Sequence, residues 1–503
     1  MNENLFALFQ SRFPADRSAP FLDALDGRVF SYADLENRSG RLSRLLGALG
    51  VRVGDRVLVQ VEKSPAAVML YLACLRHGAV FVPLNTAYTA REVAFFITDA
   101  EPAVVVSDPA RLEETAELAG TAHVMTLDVA GQGTLVEGAE GLDGDAPVAE
   151  LAANDLACIL YTSGTTGRSK GAMTSHGNLA ANALDLHRIW GFEPADVLLH
   201  ALPIFHAHGL FVALNTTLLN GSGMLFLPRF EAAEVVRLLP RATLMMGVPT
   251  FYTRLLANPD FTAELCHHMR LFISGSAPLL EETFHAFEAR TGQRILERYG
   301  MTEAGMITSN PLVGERLAGS VGFALPQTEV RVVDEDGRLL GADQTGVLEI
   351  TGANVFQGYW RLPEKTAEEF RPDGWFITGD LACQDSEGRV TIVGRAKDLV
   401  ISGGFNVYPK EIELLLDDLD GVAESAVIGL QHTDFGEAVT AVVVADGELP
   451  TEAEIIAGLK AELAAYKVPK RVLFIPELPR NAMGKVEKNR LRESYSGLYE
   501  DVK

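Results

Sequence analysis

The chain has little cysteine and little tryptophan. Its 503 residues include 4 cysteines and 3 tryptophans. The cysteines are far apart in the sequence and form no Cys-x-x-Cys pair, so nothing indicates a zinc site or a disulfide framework. A long chain with so few cysteines is typical of a reducing compartment. The four are Cys74, Cys158, Cys266 and Cys383.

Basic charge and long apolar runs are also scarce. The 43 Lys and Arg residues against 67 Asp and Glu residues give a net charge of −24, which argues against a nucleic-acid partner. Polar residues and glycines interrupt the most apolar stretch, residues 210–227, whereas a membrane span needs about 20 apolar residues. The N-terminal residues lack the pattern of a signal peptide. We expect a soluble cytoplasmic protein with no membrane partner.

Short apolar runs alternate with helical patterns in the first part of the chain. Residues 56–61, 79–84 and 103–108 are predicted strands, and residues 65–76 carry an apolar stripe at helical spacing. This alternation predicts parallel sheets flanked by helices, an α/β fold. The length exceeds the usual limit of roughly 250–300 residues for a single core, so at least two domains are expected.

The pattern changes near residue 398. Residues 330–337, with an acidic and glycine-containing end, predict a hairpin, typical of the segment before this point. Downstream, helices are predicted at residues 411–419 and 452–465, and strands at residues 424–430 and 438–444. We therefore predict an N-terminal domain of residues 1–397 and an α+β C-terminal domain of residues 398–503.

A loop rich in glycine and hydroxyl groups follows the apolar strand predicted at residues 156–160. Its sequence, residues 161–171, is Tyr-Thr-Ser-Gly-Thr-Thr-Gly-Arg-Ser-Lys-Gly. Glycines let a loop turn tightly, and its N–H groups, hydroxyls and Lys170 can donate to an anion. The spacing differs from the P-loop motif of NTPases, because Lys170 follows Gly167 by three positions. A phosphate-binding loop is predicted here.

This loop resembles the phosphate loop of the adenylate-forming superfamily, which includes acyl-CoA synthetases, luciferases and peptide-synthetase adenylation domains. Four more motifs of that superfamily follow in order, so the resemblance covers nearly the whole chain: Y-G-x-T-E at 299–303, T-G-D at 378–380, G-R-x-K-D at 394–398 and P-R-N-x-x-G-K at 479–485. It implies a small β-barrel-like part in the large N-terminal domain and a mobile C-terminal domain. It also implies ATP and Mg²⁺ as cofactors, and an acyl-adenylate that is passed to coenzyme A.

The resemblance implies roles for single residues. Lys485 contacts the carboxylate and the α-phosphate, and Glu303 and Thr162 hold Mg²⁺, a cation that prefers oxygen ligands. Asp380 accepts hydrogen bonds from the ribose hydroxyls beside Arg395. The remaining residues implied at the nucleotide are Ser163, Gly164, Thr165, Thr166, Gly167, Lys170, Ser276, Ala277, Glu297, Arg298, Tyr299, Gly300, Met301 and Thr302; Gly403, Gly404 and Phe405 are implied at coenzyme A, and Asp398 as the hinge.

The acid that is activated depends on the acyl pocket. By the resemblance, the pocket includes His206, a catalytic candidate, and the helix that carries Arg254. An arginine in an otherwise apolar pocket needs an anion, and its planar fork suits a carboxylate. The pattern is similar to the malonyl-CoA synthetase branch, where Arg254, Ser276 and His206 would bind the far carboxylate and Met306 would line the pocket. The alternative is that Arg254 faces solvent and His206 only gates the pocket.

One departure concerns Ala207, where malonate-activating relatives often carry threonine. The smaller side chain predicts room for an α-methyl group, so methylmalonate is expected beside malonate. Alternatives are a ligase of short-chain or aromatic monocarboxylic acids, an adenylation enzyme that loads a carrier protein, or an inactive nucleotide-binding scaffold. Lys485 is also a predicted acetylation target, which makes a lysine acetyltransferase an expected partner.

Overall fold

The chain folds into two units, each described by itself. The computed structural model describes residues 2–162, 169–402, 405–432, 435–447, 450–463, 465–481 and 484–499. The first unit consists of Met1–Glu329 and Ile350–Phe376, and the second of Val330–Glu349 and Ile377–Lys503. The chain therefore passes between the units three times.

The first unit contains a six-stranded sheet. All neighbouring strands are parallel except the last pair, which is antiparallel. The three central strands are buried along nearly their whole length, as expected for a parallel sheet covered on both faces. In spatial order the strands are His123–Thr126, Val104–Ser107, Arg56–Gln60, Val80–Pro83, Leu156–Thr162 and Lys170–Ser175.

A nine-stranded sheet forms the rest of the core of this unit. Its central strands are parallel and both of its edges are antiparallel. In spatial order they are Phe323–Ala324, Gly305–Ser309, Leu296–Met301, Leu271–Ser274, Leu244–Gly247, Val197–His200, Gly223–Phe226, Pro20–Asp23 and Val29–Ser31.

The helices of the first unit begin and end at recognisable signals. In Pro65–His77, the Ser64 side chain accepts from the backbone N–H of Ala67, proline occupies the first turn, and Gly78 ends the helix at φ 81°. The other α-helices are Leu5–Gln10, Tyr32–Ala48, Ala90–Ala100, Leu112–Leu118, Thr134–Ala139, His176–Ile189, Asn215–Asn220, Ala232–Leu238, Pro249–Leu256, Ala263–Cys266, Glu281–Thr291 and Pro363–Glu368; Pro109–Arg111 and Leu239–Arg241 are 3₁₀ turns, and His208–Leu214 is a π-helix.

The second unit contains two smaller sheets. Strand Val422–His432 is buried on both faces, because Val427 packs into one apolar cluster and Ala426 and Ile428 into another. Its helices are Pro409–Asp417, Glu452–Glu462 and Lys488–Ser494, with a 3₁₀ turn at Ala396–Asp398. One sheet has the order Thr328–Val333, Gly346–Gly352, Phe376–Gln384 and Val390–Arg395; the other has the order Phe405–Val407, Val400–Ser402, Gly436–Ala445 and Val422–His432, with Arg471–Ile475 parallel to Gly436–Ala445.

The predicted α/β class, with parallel sheets, flanking helices and a smaller sheet-containing C-terminal part, is confirmed. The compact units group residues 330–349 and 377–397 with the C-terminal residues. The boundary at residue 397, the barrel-like part and the mobility of the C-terminal domain stay predictions. Among the described residues, no helix combines the length and the apolar character needed to cross a bilayer.

Candidate active site

Three predicted acyl-site residues of the first unit follow three neighbouring parallel strands of the nine-stranded sheet. His206 comes after Val197–His200, and Arg254 lies in the helix after Leu244–Gly247. Ser276 comes two residues after Leu271–Ser274. Because the carboxyl ends of parallel strands meet at one edge, the fold brings these segments to the edge where α/β sheets bind ligands.

His208 and Ser276 form a contact in this region. Ser276 has a left-handed backbone with φ 72°, unusual for a residue with a side chain, and its hydroxyl lies 3.1 Å from Nδ1 of His208. Burial lowers the pKa of His208 well below its ordinary value, and the neighbouring Arg298 and His206 lower it further. His208 is therefore a neutral imidazole. Its Nε2 is buried and has no hydrogen-bond partner among the described residues.

His208 lies in the segment predicted to form the acyl pocket, but no role was predicted for it. The sequence signal for a role of His208 was the His-x-His spacing. In the structure, the backbone N–H of His208 lies 3.4 Å from Nδ1 of His206. The two histidines are thus held together, and His208 connects them to Ser276.

Arg254 is exposed on its helix, Pro249–Leu256. The buried face of this helix is carried by neighbouring residues, and the Tyr252 hydroxyl donates to the Ile273 carbonyl at 2.5 Å. Arg254 makes no ion pair with any described residue. A role for Arg254 in binding the acid stays a prediction.

Two further predicted acyl-site residues are buried. Ala207 is 4% exposed and Met306 is 3% exposed. The terminal methyl of Met306 lies against Gly300, since a Cβ added to that glycine would lie 2.5 Å from it. Met306 is also fixed through its backbone, whose N–H donates to Asn182 at 3.1 Å.

Arg298 is the most deeply buried of the predicted site arginines. It lies on strand Leu296–Met301 and is 3% exposed. Its guanidinium covers Gly275, because a Cβ on that glycine would lie 2.2 Å from Cζ of Arg298. Burial lowers the pKa of Arg298 to about 9, so the group remains charged at neutral pH. Its Nε and Nη2 find no acceptor within the described part of the chain.

Glu303 occupies a tight turn between the antiparallel strands Leu296–Met301 and Gly305–Ser309. It is 8% exposed, and the half-buried residues Tyr299–Thr302 lead into it. Glu297, in the same strand, is 5% exposed, and its Oε1 accepts from the backbone N–H of Leu279 at 3.2 Å. Ser276 and the adjacent Ala277 are half-buried.

A tyrosine joins Glu303 to the predicted phosphate-binding lysine. The Tyr359 hydroxyl lies 3.0 Å from Glu303 Oε1 and 2.7 Å from Glu369 Oε2. Glu369 also pairs with Lys170 at 2.9 Å, and the Lys170 ammonium lies 4.0 Å from the centre of the Tyr359 ring. A phenol has one proton to donate, so the two carboxylates compete for it. Tyr359 and Glu369 were not predicted as site residues, because no motif indicates their partners.

The oxygen donors of Thr162 and Glu303 fit the Mg²⁺ ion that the family implies. Mg²⁺ is usually held by one or two protein oxygens together with waters and phosphates. Among the described residues, the Thr162 hydroxyl makes one long contact, 3.5 Å to the Lys170 carbonyl. No group of three or more His, Cys, Asp or Glu side chains in the described residues is arranged to hold a metal alone. The predicted phosphate-loop residues 163–167 lie outside the described residues.

The second unit brings together Asp380 and Arg395. They are opposite each other on neighbouring antiparallel strands, and Oδ1 of Asp380 lies 2.6 Å from Nε of Arg395. Asp380 is 2% exposed. Asp398, the predicted hinge, pairs with Arg492 at 2.7 Å.

Lys485 is half-buried in the second unit. Burial, followed by repulsion from Arg395, lowers its pKa to about 8. Phe405 is 57% exposed and stacks on Tyr466 with ring centres 4.7 Å apart. The two predicted coenzyme A glycines, Gly403 and Gly404, lie outside the described residues.

Comparison with known proteins agrees with these features. The family model "AMP-binding enzyme" matches residues 8–360, and "AMP-binding enzyme C-terminal domain" matches residues 411–485. The ATP-bound crystal structure of MatB from Rhodopseudomonas palustris is 54% identical, covers 99% of this chain and 100% of that one, and superposes with a TM-score of 0.98.

Two curated relatives differ in the acid that their names give. A malonate–CoA ligase of Arabidopsis thaliana is 33% identical over 93% of this chain and 85% of its own length. A feruloyl-CoA synthase of an Amycolatopsis species is 36% identical over 93% of this chain and 94% of its own length. The motifs, the fold and these matches agree, and the chain belongs to the AMP-binding enzyme family as an AMP-forming acyl-CoA ligase.

Proposed function

We propose that this ligase is a malonyl-CoA synthetase, which converts malonate, ATP and coenzyme A into malonyl-CoA, AMP and diphosphate through malonyl-adenylate. The observation that carries the proposal is the pair of arginines Arg254 and Arg298, which make no ion pair with any described residue. A guanidinium at an acyl site favours an acid with a second carboxylate, because a monocarboxylic acid leaves that charge without a partner.

The comparisons support this choice without deciding it. The MatB structure and the malonate–CoA ligase point to malonate, whereas the feruloyl-CoA synthase is similar over the same share of the chain. The MatB structure is 54% identical and the feruloyl-CoA synthase 36%, so overall similarity favours malonate and leaves an aromatic acid as the alternative.

The proposed chemistry assigns the cations to the adenylation step. Attack of the carboxylate on the α-phosphate builds negative charge on phosphate oxygens, and positioned cations stabilise that charge in the transition state. We assign this role to Lys485. Bound Mg²⁺, held by Thr162 and Glu303, would neutralise charge on the phosphates. Asp380 would accept hydrogen bonds from the ribose hydroxyls, with its carboxylate oriented by Arg395.

Methylmalonate is proposed as a second substrate. The buried Ala207 lacks the branched side chain that a threonine would place there, which leaves room for an α-methyl group. In Ala207→Thr, we expect the ratio of kcat/KM for methylmalonate over malonate to fall. An unchanged ratio would exclude this role for Ala207.

The proposed function is tested by measuring AMP release with malonate, methylmalonate, succinate, acetate, benzoate and ferulate in parallel, each with and without coenzyme A. We expect malonate to have the highest kcat/KM and AMP release to depend on coenzyme A. Higher kcat/KM for benzoate or ferulate would replace the proposal with an aromatic-acid ligase. Release independent of coenzyme A would indicate a carrier-protein-loading enzyme.

Acetylation of Lys485 is a further part of the proposal. Acetylation removes the charge that adenylation requires. Protein carrying acetyl-lysine at this position, confirmed by intact mass, should lose acid-dependent exchange between diphosphate and ATP. Full exchange in the acetylated protein would refute this part of the proposal.

A further inference from the structure

Lys63 is a buried lysine to which the proposed chemistry gives no role. It is 8% exposed, and it lies in the loop after strand Arg56–Gln60 of the six-stranded sheet. No carboxylate in the described part of the chain forms an ion pair with it. A buried lysine without an acidic partner is costly, so the contacts that keep it there must offset that cost.

The Lys63 side chain meets a histidine of the nine-stranded sheet. Its Nζ lies 2.9 Å from Nδ1 of His200 and 2.9 Å from the carbonyl oxygen of the same residue. It also lies 4.2 Å from the centre of the Phe226 ring, whose face attracts a cation. His200 and Phe226 end the neighbouring parallel strands Val197–His200 and Gly223–Phe226. Lys63 therefore connects the two sheets of the first unit at the carboxyl ends of their strands.

The contacts of His200 fix the position of its ring proton. Nε2 lies 2.9 Å from the Gly209 carbonyl oxygen, which can only accept, so Nε2 carries a proton and donates it. Burial lowers the pKa of His200 well below its ordinary value, and Lys63 lowers it further, so the ring is neutral. A neutral imidazole has one ring proton, which leaves Nδ1 as the acceptor for Lys63. Lys63 thus donates to His200, and His200 donates to the Gly209 carbonyl.

Gly209 directly follows the His-x-His segment of the predicted acyl site. It is the second residue of the π-helix His208–Leu214, and Nδ1 of His208 lies 3.1 Å from the Ser276 hydroxyl. π-helical turns are rare and occur frequently at functional sites. A hydrogen bond that holds the Gly209 carbonyl therefore also holds the His208 ring in its contact with Ser276.

We propose that Lys63 and His200 are positioning residues of the acyl site: Lys63 orients the His200 ring, which holds the Gly209 carbonyl and keeps His208 in place. Both residues act through the backbone of the π-helix and not by contact with the acid. The proposal rests on the acyl site of the proposed function and deepens it. Such positioning affects turnover strongly, because a displacement of about 1 Å at a site can cost about 100-fold in rate.

Two variants remove the two hydrogen bonds separately. Lys63→Met keeps the length of the side chain without its donors, and the shorter amide in His200→Asn does not reach the Gly209 carbonyl. We expect each to raise the KM for the acid that the parent turns over best by at least about tenfold. The KM for ATP should change less than about threefold, since neither residue belongs to a nucleotide motif. An unchanged KM for the acid in both variants would overturn the proposal.

A conservative variant and a double variant separate positioning from general stability. In His200→Gln an amide N–H can replace Nε2–H, so the KM for the acid should rise less than in His200→Asn. Adding Lys63→Met to His200→Asn should change this KM less than about twofold, because the hydrogen bond to Gly209 is already lost. Single effects on KM that multiply in the double variant would show two independent structural roles and overturn the proposal.

Tyr71→Phe is the matched control for the loss of a buried hydrogen bond. Tyr71 is buried, and its hydroxyl donates at 3.1 Å to Asn215, the residue after the far end of the same π-helix. Its unfolding temperature should fall, whereas its KM for the acid should stay within about twofold of the parent. A tenfold rise in that KM would mean that any weakening around the helix is sufficient, which would contradict the specific role of Lys63 and His200.

Nitrogen-15 NMR of the histidine rings tests the proton position with Lys63 intact. We expect His200, identified by the signal that His200→Gln lacks, to show a protonated Nε2 and an unprotonated Nδ1. A proton on Nδ1 would reverse the direction of donation and overturn the proposal.

The outcomes for the two proposals differ. If the parent turns over another acid better than malonate, the proposed function fails, and the KM comparison with that acid still decides the role of Lys63. If the parent prefers malonate while Lys63→Met and His200→Asn keep the parent's KM for it, only the positioning role fails.

Discussion

Two buried cations of the first unit differ in how they are satisfied. Lys63 is 8% exposed, and its ammonium lies 2.9 Å from both Nδ1 and the carbonyl oxygen of His200. Burial lowers the pKa of Lys63 well below its ordinary value. Its partners come from the protein, whereas Nε and Nη2 of Arg298 meet no acceptor among the described residues. Sequence patterns treat both as charged residues in apolar surroundings, and only their contacts distinguish a structural cation from one suited to a ligand.

Tyr359→Phe tests the link between Glu303 and Lys170. Loss of the hydroxyl leaves Glu303 without a hydrogen bond that orients it, so we expect the Mg²⁺ concentration for half-maximal activity to rise about tenfold. Calorimetry of ATP binding with and without Mg²⁺ should show the same weakening. Tyr32→Phe is the control, since its buried hydroxyl donates to the Ser222 carbonyl. Equal effects of both variants would refute the link.

The pH dependence of adenylation tests Lys485. Its pKa of about 8 means that the ammonium loses its proton above that pH, so kcat/KM in diphosphate exchange should fall as pH rises through about 8. In Lys485→Arg the guanidinium stays charged, and this fall should disappear even if the activity is lower. A parent profile that stays flat to pH 9.5 would contradict the assignment.

The lowered pKa of Lys485 also makes the free energy of unfolding depend on pH in a defined direction. The unfolded chain retains the Lys485 proton up to about its ordinary value of 10.5, whereas the folded chain releases it near 8. The folded state thus binds fewer protons between these values, and the contribution of Lys485 to stability rises with pH across that interval.

At the scale of elements, close backbone packing holds the acyl-site segment after Val197–His200. Gly209 is in the π-helix His208–Leu214, and a Cβ there would lie 2.1 Å from the Pro203 carbonyl oxygen. His200 reinforces the same segment, since its Nε2 lies 2.9 Å from the Gly209 carbonyl. The apolar stretch at residues 210–227 predicted buried core. The close contact between the backbones of Gly209 and Pro203 could be seen only in the folded structure.

Paired glycine substitutions test this packing. Gly209→Ala should lower the unfolding temperature and cost about 1–3 kcal/mol, since backbone atoms cannot rotate away from the added methyl. Gly458→Ala is the matched control. This glycine is exposed in helix Glu452–Glu462 with open space around it, and alanine there should stabilise by about 1 kcal/mol. Thermal and urea unfolding measure both. Similar effects of the two variants would refute the packing argument.

At the scale of the whole molecule, the two units are divided at three places in the chain and not at one. The division falls within Thr328–Val333, Gly346–Gly352 and Phe376–Gln384, so all three crossings occur in strands of one sheet. The hinge motifs gave a single position, because sequence order shows where the pattern changes but not which strands pair.

The hinge prediction is tested at Asp398. Proline fixes φ near −65°, so Asp398→Pro should block rotation at this residue: diphosphate exchange should be retained, and formation of the thioester should slow at least about tenfold. Asp398→Ala is the control, because it removes the ion pair with Arg492 but leaves the backbone free. Equal slowing of both half-reactions in Asp398→Pro alone would argue against a hinge.

Local patterns in the sequence determined the α/β class, the strands and helices, and the ligase family. Periodicity and motif spacing are properties of neighbouring residues, so they can be recognised without knowledge of the fold. Glu303 and Lys485 were therefore nameable from their motifs, although their roles stay predictions.

Tertiary structure decided the partners. Tyr359 is 56 residues from Glu303, and Ser276 is 68 residues from His208, distances over which no sequence pattern operates. It also decided that Arg254 is exposed, whereas Arg298 is buried and its Nε and Nη2 meet no acceptor in the described part of the chain. Burial and pairing depend on the packing of segments that are distant in the sequence, so motifs and periodicity could not show them.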